Sequence, residues 1–406
     1  MPKIGELLTQ MKKELRPLWK KLPEVDDLLK KITALLKEQK IKAVVQTGGS
    51  YSKGTALKNI HDIDLFVAFD LTYKEKNISD LLEKALKPLN PTRVHGSRDY
   101  FQIHNLYNIE IIPVLNIKKA SDAQNVTDFS LWHVEWVMKK GKGKEDDIRL
   151  AKQFCKAASI YGAESYISGF SGHVLDILII YYGSFEKLLK GSLTWKAQKV
   201  IDPHNQHKGK ALFNLNKSKI QSGLVVIDPV QPDRNAAAAL SIKNMLEFQK
   251  VAQQFLKTPT LEFFKEKKIN LDMLKKKKAI ILLAETQEGK RDVVGAKAVK
   301  VYEHFKNALQ EIFGIKESGW QWNDQFIMWF IPEKKMLPPT KEHIGPPLDK
   351  EKHVISFKKK YKKTTIKKGY VIATIKQEYT NPVTLVKSLI AEEYTKDKIK
   401  KIMLAK

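Results

Sequence analysis

The stretch IKAVVQTGGSYSKGTALKNIHDIDLFVAFD, residues 41–70, limits this chain's fold more than any other. IKAVVQT (41–47) is apolar and rich in β-branched residues, and it stops at Gly48-Gly49-Ser50. A short polar segment follows, and DIDLFVAFD (62–70) reads as a second strand. The two-residue period of a strand sends Asp62 and Asp64 to one face and Ile63 and Leu65 to the other, the core face. Two carboxylates about 6–7 Å apart along a strand call for cations. Their hard oxygen ligands select magnesium. Two such ions about 3.5–4 Å apart can hold the attacking hydroxyl and the leaving oxygen of an in-line displacement. By itself a D-x-D at a strand start is more often a solvated edge. A third carboxylate from a neighbouring strand changes that balance, and Glu110 in NIEIIPVL is the one acidic residue inside an apolar strand.

The Gly-Gly-Ser turn adds a second signal. Glycines let the backbone approach a phosphate. Ser50 can donate to a phosphate oxygen, and Lys53 can bring positive charge to a triphosphate. Alone this is an ordinary Gly-Gly turn. Strand, glycine turn, short helix, D-x-D and strand within one short segment is far more specific than either part.

Charge points the same way. Lys and Arg total 72 against 45 Asp and Glu, a formal net charge of +27. So large a surplus repels itself in the folded state unless a polyanion neutralises it. Nucleic acid leads as the partner, an acidic membrane surface comes second, and a generally lysine-rich surface is the plain alternative. A single cysteine, Cys155, excludes an internal disulfide and a cysteine-based zinc cluster. It sits in IRLAKQFCKAASIYG and reads as a buried core thiol. The N-terminus lacks a secretory signal pattern, and the longest apolar run, VLDILIIYYG, is about half of what a bilayer requires. The expectation is a cytoplasmic protein with no membrane partner.

Length suggests about two to four domains, and the pattern predicts an α+β multidomain chain. Residues 3–39 read as an amphipathic helical hairpin broken near Pro23. A mixed α/β sheet region runs to about residue 130, with DYFQIHNLY (99–107) and IEIIPVLNI (109–117) as an antiparallel pair. A helical region follows, in which PDRNAAAALSIKNMLEFQKVAQQFL (232–256) reads as one helix with a Pro-Asp start. Next come strand AIILLAE, helix AVKVYEHFKNALQEIFG and an aromatic strand WQWNDQFIMWFI (320–331), whose alternating aromatics are read as core. The last part holds a Pro-rich loop, HIGPPLDKEK, a basic helix, the strand GYVIATIKQEY and a final helix.

GSYSKGTALKNIHDIDLFV resembles the signature of the polymerase-beta nucleotidyltransferases, and most of all the archaeal-type, class I CCA-adding enzymes. IRLAKQFCKAASIYGAESYISGFSGHVLDILIIYYGSF (148–185), IDPVQPDRNAAAALS (227–241) and HIGPPLDKEKHVISFKKKY (343–361) resemble further blocks of that family. The resemblance implies a catalytic head (1–130), a helical neck closing the nucleotide pocket (131–258), an α/β body (259–337) and an RNA-binding tail (338–406). It implies template-independent addition of C, C and A to the 3′ end of tRNA from CTP and ATP. Asp62 and Asp64 would bridge Mg2+ ions, with Glu110 holding the ion that activates the 3′-hydroxyl.

By the same resemblance Ser50, Lys53, His133, Lys152 and Tyr161 grip the triphosphate, and Arg234 contacts the base. Read without the family, His133 is a packed helix residue, Lys152 a solvated face, Tyr161 a helix-end staple and Arg234 part of a helix start. Two positions depart from the family pattern: Lys53 stands where arginine is usual, and Glu110 where aspartate is usual. The other enzyme reading is a different template-free nucleotidyltransferase, such as a poly(A) polymerase. The reading from another class is an RNA-binding protein with an inactive head. The sequence leaves the oligomeric state open, a homodimer included.

Overall fold

A computed structural model describes residues 4–19, 21–59, 62–104 and 107–405. The chain divides into two compact units, Met1–Lys267 and Lys268–Lys406.

The first unit opens with α1 (Ile4–Leu15) and α2 (Pro23–Glu38), with Pro23 in the first turn of α2, where its missing N–H costs nothing. The strands β1 (Ala43–Thr47), β2 (Asp62–Phe69), β3 (Thr92–Val94), β4 (Tyr100–His104) and β5 (Asn108–Leu115) form a sheet ordered β1-β2-β5-β4-β3. Only the β2–β5 pair is parallel. Between β1 and β2 lies the one-turn helix α3 (Gly49–Ser52), and α4 (Ile78–Leu86) follows β2. Ile63, Leu65, Val67 and Phe69 bury one face of β2 in a core shared with α2 and α4. On the opposite face Phe66, Ala68, Ile112 and Val114 meet Leu131 and Val134 of α5 (Ser130–Lys140). Of the turn between β4 and β5, and of the segment before β2, residues 105–106 and 60–61 lie outside the described residues.

The helical part continues with α6 (Glu145–Ala157), α7 (Gly172–Tyr182), α8 (Phe185–Ser192), α9 (Ala211–Asn214) and α10 (Ile242–Lys257), with the short parallel pair β6 (Lys199–Ile201) and β7 (Leu224–Val226). Phe154 is the hub of this core. Its ring meets those of Phe185, Phe248, Phe255 and Phe264. Cys155 is buried beside it, as read from the sequence.

Two expectations fail here. The N-terminal helices divide between cores: α1 buries Leu7, Leu8 and Met11 in the helical core, tied by Lys12 to Asp147, while α2 packs on the sheet. The predicted 232–256 helix begins only at Ile242, where Ser241 accepts the Asn244 N–H as its cap. Residues 232–241 are turns. Asn235 spends its side chain on the backbone of Val226, Lys219 and Leu224, and that tertiary hold overrides the alanine run's helix propensity.

The second unit holds α11 (Leu271–Lys276), β8 (Ile280–Thr286), α12 (Arg291–Phe313), β9 (Ile315–Trp322), β10 (Phe326–Pro332), β11 (Thr340–Pro347), α13 (Glu351–Lys360), β12 (Thr364–Lys367), β13 (Tyr370–Lys376), α14 (Pro382–Ala391), α15 (Glu393–Lys396) and β14 (Ile399–Leu404). Its sheets run β14-β8-β10-β9 and β11-β13-β12. The single aromatic strand expected at 320–331 is a hairpin turning at Asn323-Asp324-Gln325, the first two being residues suited to a turn. Its aromatics are largely core, with Phe326 and Phe330 buried and Trp320 stacked on Phe326. HIGPP, expected as loop, is strand. Its prolines lie on β11, an edge of its sheet, where no ladder hydrogen bond is lost. The chain was expected to close on a helix; after α14 and α15 it instead returns as the strand β14 to pair with β8.

Candidate active site

The parallel register of β2 and β5 sets Asp64 directly beside Glu110 and Asp62 beside Asn108. Alternation puts all three carboxylates on the Phe66 face, at the N-terminal ends of their strands. Each end of the cluster is held by an amide. Asn108 Nδ2 donates to Asp62 Oδ1 at 2.9 Å, and Gln102 Nε2, across β4, donates to Glu110 Oε1 at 2.9 Å. Burial and the neighbouring Glu110 charge push Asp64 up to about 6 against an ordinary 3.8, with Lys53 opposing. Burial also raises Glu110, despite the Gln102 hydrogen bond. The cluster is thus short of positive charge.

The glycine turn is built against this cluster. Gly48 N–H donates to the Asp64 carbonyl at 2.7 Å. Gly49 has φ +53°, and a Cβ there would fall 1.6 Å from Asp64 Oδ2. A side chain is excluded twice over, by conformation and by space. Ser50 is part-exposed in the middle of the turn α3, and Lys53 ends it.

Lys53 is not free. Its Nζ donates to Asp176 Oδ2 at 2.9 Å, and both side chains are nearly buried. Burial would raise the Asp176 carboxyl, but Lys53 and Lys152 outweigh it and hold it below its ordinary value. Lys152 is buried, with Nζ donating to Thr55 Oγ1 at 2.9 Å, and burial lowers its pKa to about 8. Tyr161 lies beside it: a Cβ on Gly172 would sit 3.1 Å from the Tyr161 hydroxyl and 3.6 Å from Lys152 Cε. Burial raises the Tyr161 phenol.

A second group gathers around Asp228, which is wholly buried after β7. His133 Nε2 reaches its two oxygens at 3.0 and 2.9 Å, and Arg234 Nη1 donates to Oδ2 at 3.0 Å. His173 of α7 stacks against His133, with ring centroids 4.3 Å apart, and places Nε2 3.5 Å from Asp228 Oδ2. Burial drives His173 down to about 4. Among the described residues, His133, His173 and Asp228 are the group whose potential ligand atoms converge within 4.8 Å, which the three sheet carboxylates do not.

A cavity of about 280 Å³ is lined among others by Gly49, Lys53, His133, His173 and Arg234, and the carboxylates Asp62, Asp64 and Glu110 are not part of its lining. Ser50, Lys152 and Tyr161 do not line it. A larger cavity of about 760 Å³, beside Thr47, Trp132 and Glu135, touches neither the carboxylates nor these cations. Sequence reasoning missed Asp176, His173 and Asp228. Asp176 carried a readable signal, since it is the lone acid in the apolar run GHVLDILIIYYG, the same oddity that drew attention to Glu110.

A mixed sheet with paired strand carboxylates behind a glycine turn defines a nucleotidyltransferase, and residues 29–167 match the model of the nucleotidyltransferase domain. Residues 146–265 match that of the second domain of tRNA nucleotidyltransferase, and 296–402 that of the CCA-adding enzyme C-terminal domain. The chain is 37% identical over 351 residues to a CCA-adding enzyme of Nanoarchaeum equitans, covering 82% of this chain and 86% of that one. It is 29% identical over 374 residues to the CCA-adding enzyme of Methanosarcina mazei, covering 86% and 79%. The chain belongs to the CCA-adding enzyme family. Among solved structures, a cytoplasmic RNA terminal U-transferase aligns with TM-score 0.51 at 14% identity, over 66% of this chain and 99% of that one. The terminal uridylyl transferase Cid1 gives 0.52 at 14%, over 66% and 100%. These likenesses are of fold. No described helix is long and apolar enough to cross a membrane.

Proposed function

We propose that this protein adds C, C and A to the 3′ end of tRNA from CTP and ATP, releasing pyrophosphate. The observation that carries the reading is the register match of Asp64 with Glu110 on adjacent parallel strands, with Asp62 on the same face. The family's chemistry uses a divalent metal, and the residues fit one. Three hard oxygen donors share one face of the sheet, two of them with carboxyl pKa values raised chiefly by burial and then by a neighbouring carboxylate, Asp64 by Glu110 and Glu110 by Asp62. Asp62, Asp64 and Glu110 would hold Mg2+, which supplies charge neutralisation and Lewis-acid polarisation at the reacting phosphate.

The chain's own residues do the rest. Lys53 and His133 face the cavity and offer positive charge or N–H donors to the triphosphate. Ser50 is within the turn that the phosphates approach. Lys152 and Tyr161 lie outside the cavity lining, and Lys152 joins Lys53 in keeping Asp176 ionised. Arg234 presents a guanidinium that meets acceptors on the edges of cytosine and adenine; uracil and guanine place a ring N–H there. The division of labour follows the sequence: catalytic head to about residue 130, neck to 258, body to 337, tail from 338. An acceptor arm is A-form and is gripped through shape and phosphates. The lysine-rich stretches 265–278 and 358–368 are suited to that.

The test is incubation of the purified protein with tRNA lacking its last three nucleotides, CTP, ATP and Mg2+, followed by sequencing of the products. Restoration of CCA supports the reading. Addition of A alone, or long A tails, replaces it with the poly(A) polymerase reading.

A further inference from the structure

The geometry points to Asp228 as a positioning residue that sets base choice, by fixing Arg234 and His133 from one buried carboxylate. This rests on the function proposed above and names how the same cleft selects its nucleotide.

Asp228 sits in the segment IDPVQPDRN, which doubles back on itself. Its own N–H donates to the Arg234 carbonyl at 3.0 Å, and Ile227 bridges Asn235. Oδ1 accepts the N–H groups of Val230 and Gln231 at 3.1 and 3.2 Å. Those bonds are enough to make the turn. The remaining contacts are not needed for it. His133 comes from α5, His173 from α7 and Arg234 from the loop itself, and all three aim at the same carboxylate. One aspartate therefore ties together a side chain on the phosphate side of the cavity and the one proposed to read the base.

The tie matters because of what arginine does without it. An untethered guanidinium samples many rotamers and carries five donors. It can then find the O4 of uracil or the O6 of guanine as readily as an acceptor on cytosine or adenine. With Nη1 held on Asp228, the remaining donors point in one direction. The side chain stays more than a third exposed toward the cavity. A fixed donor set rejects a base that offers N–H in its place, whereas a mobile one accommodates it. The carboxylate also fixes the His133 tautomer, since only an Nε2–H can donate to it.

The test uses the full-length enzyme with tRNA lacking CCA, measuring kcat and KM for each of CTP, ATP, UTP and GTP. In Asp228→Asn the KM for CTP and ATP should rise, and the preference for CTP over UTP in kcat/KM should fall by roughly tenfold or more. Asp228→Glu keeps the charge and should recover part of that preference. Introduced into Arg234→Ala, Asp228→Asn should cost no further selectivity. If Asp228→Asn does not fold, the glutamate variant carries the test, with a smaller fall in the same ratio at wild-type Tm. Wild-type selectivity in whichever variant folds, an equal loss for all four nucleotides, or selectivity losses that add to those of Arg234→Ala would each overturn the inference. A wild-type enzyme that adds neither C nor A would instead sink the functional reading on which it rests.

Discussion

Replacing Asp64 with asparagine should stabilise the metal-free protein while abolishing catalysis. Asp64 is held at about 6 instead of 3.8, chiefly by burial and then by the charge of Glu110. At neutral pH the folded state therefore carries an ionised group that it disfavours relative to the unfolded chain. The gap is worth at most roughly 3 kcal/mol. For a unit of this size, about 2–4 °C per kcal/mol, it becomes a Tm difference on the order of 5–10 °C. Asparagine has the same shape without the charge. The sign with pH follows from a raised carboxyl: the penalty is complete above about 6, shrinks as pH falls through that value and vanishes below about 4. Thermal unfolding in excess chelator should show Asp64→Asn above wild type at pH 7.5 and the two converging at pH 4. Added Mg2+ should raise the wild-type Tm and leave the variant's unchanged. A variant no more stable than wild type at pH 7.5 in chelator would refute the account of a cluster short of positive charge.

Gly49→Ala puts a methyl group 1.6 Å from Asp64 Oδ2 at a positive φ, so nucleotide addition should fall by about a hundredfold or more, measured on the same tRNA; near-normal turnover would mean the turn can shift freely. Asp176→Asn removes the counter-charge of buried Lys53 and Lys152 and should cost about 3 kcal/mol, read as a lower denaturant midpoint; an unchanged midpoint would show that these lysines shed their protons instead. Replacing exposed Lys358, Lys359 and Lys360 with Glu should weaken tRNA binding and flatten its salt dependence, with affinity for free CTP unchanged. A salt slope equal to that of wild type would remove that helix from the RNA contact.

The carboxylate face was legible because strand periodicity is local: Asp62, Asp64, Ile63 and Leu65 fall where a two-residue period puts them, and Glu110 stood out as a charge in an apolar strand. What escaped was set by contacts distant in sequence. Arg234 was read as the start of a helix because the alanines after it favour one, yet Asn235 is bound to residues up to 16 positions earlier and Asp228 holds Arg234 itself. Nothing in a single sequence says that His133, His173 and Asp228 meet. The hairpin at Asn323-Asp324-Gln325 was missed for a different reason: the aromatics continue with the same alternation on both sides of the turn, so the break carried only three polar residues as its mark.

Lys53 and Asp176 show how a departure from the family pattern leaves a trace in the structure. Arginine is the residue the resemblance led one to expect at position 53. Lysine supplies one point of contact, Nζ to Asp176 Oδ2, and the other oxygen, Oδ1, is buried with no hydrogen-bond partner among the described residues. A guanidinium can bind both oxygens of a carboxylate at once. Lys53 borders the cavity, which leaves room for the larger head group. Lys53→Arg should therefore satisfy Oδ1 and stabilise the protein by about 1–2 kcal/mol, seen as a higher denaturant midpoint with nucleotide addition retained. Asp176→Asn in the Lys53→Arg background should erase that gain, since the forked contact needs both carboxylate oxygens. A lower midpoint in Lys53→Arg would mean that the pocket around Asp176 has closed to fit lysine, and that the unpartnered oxygen has been adopted by the packing and not left by the substitution.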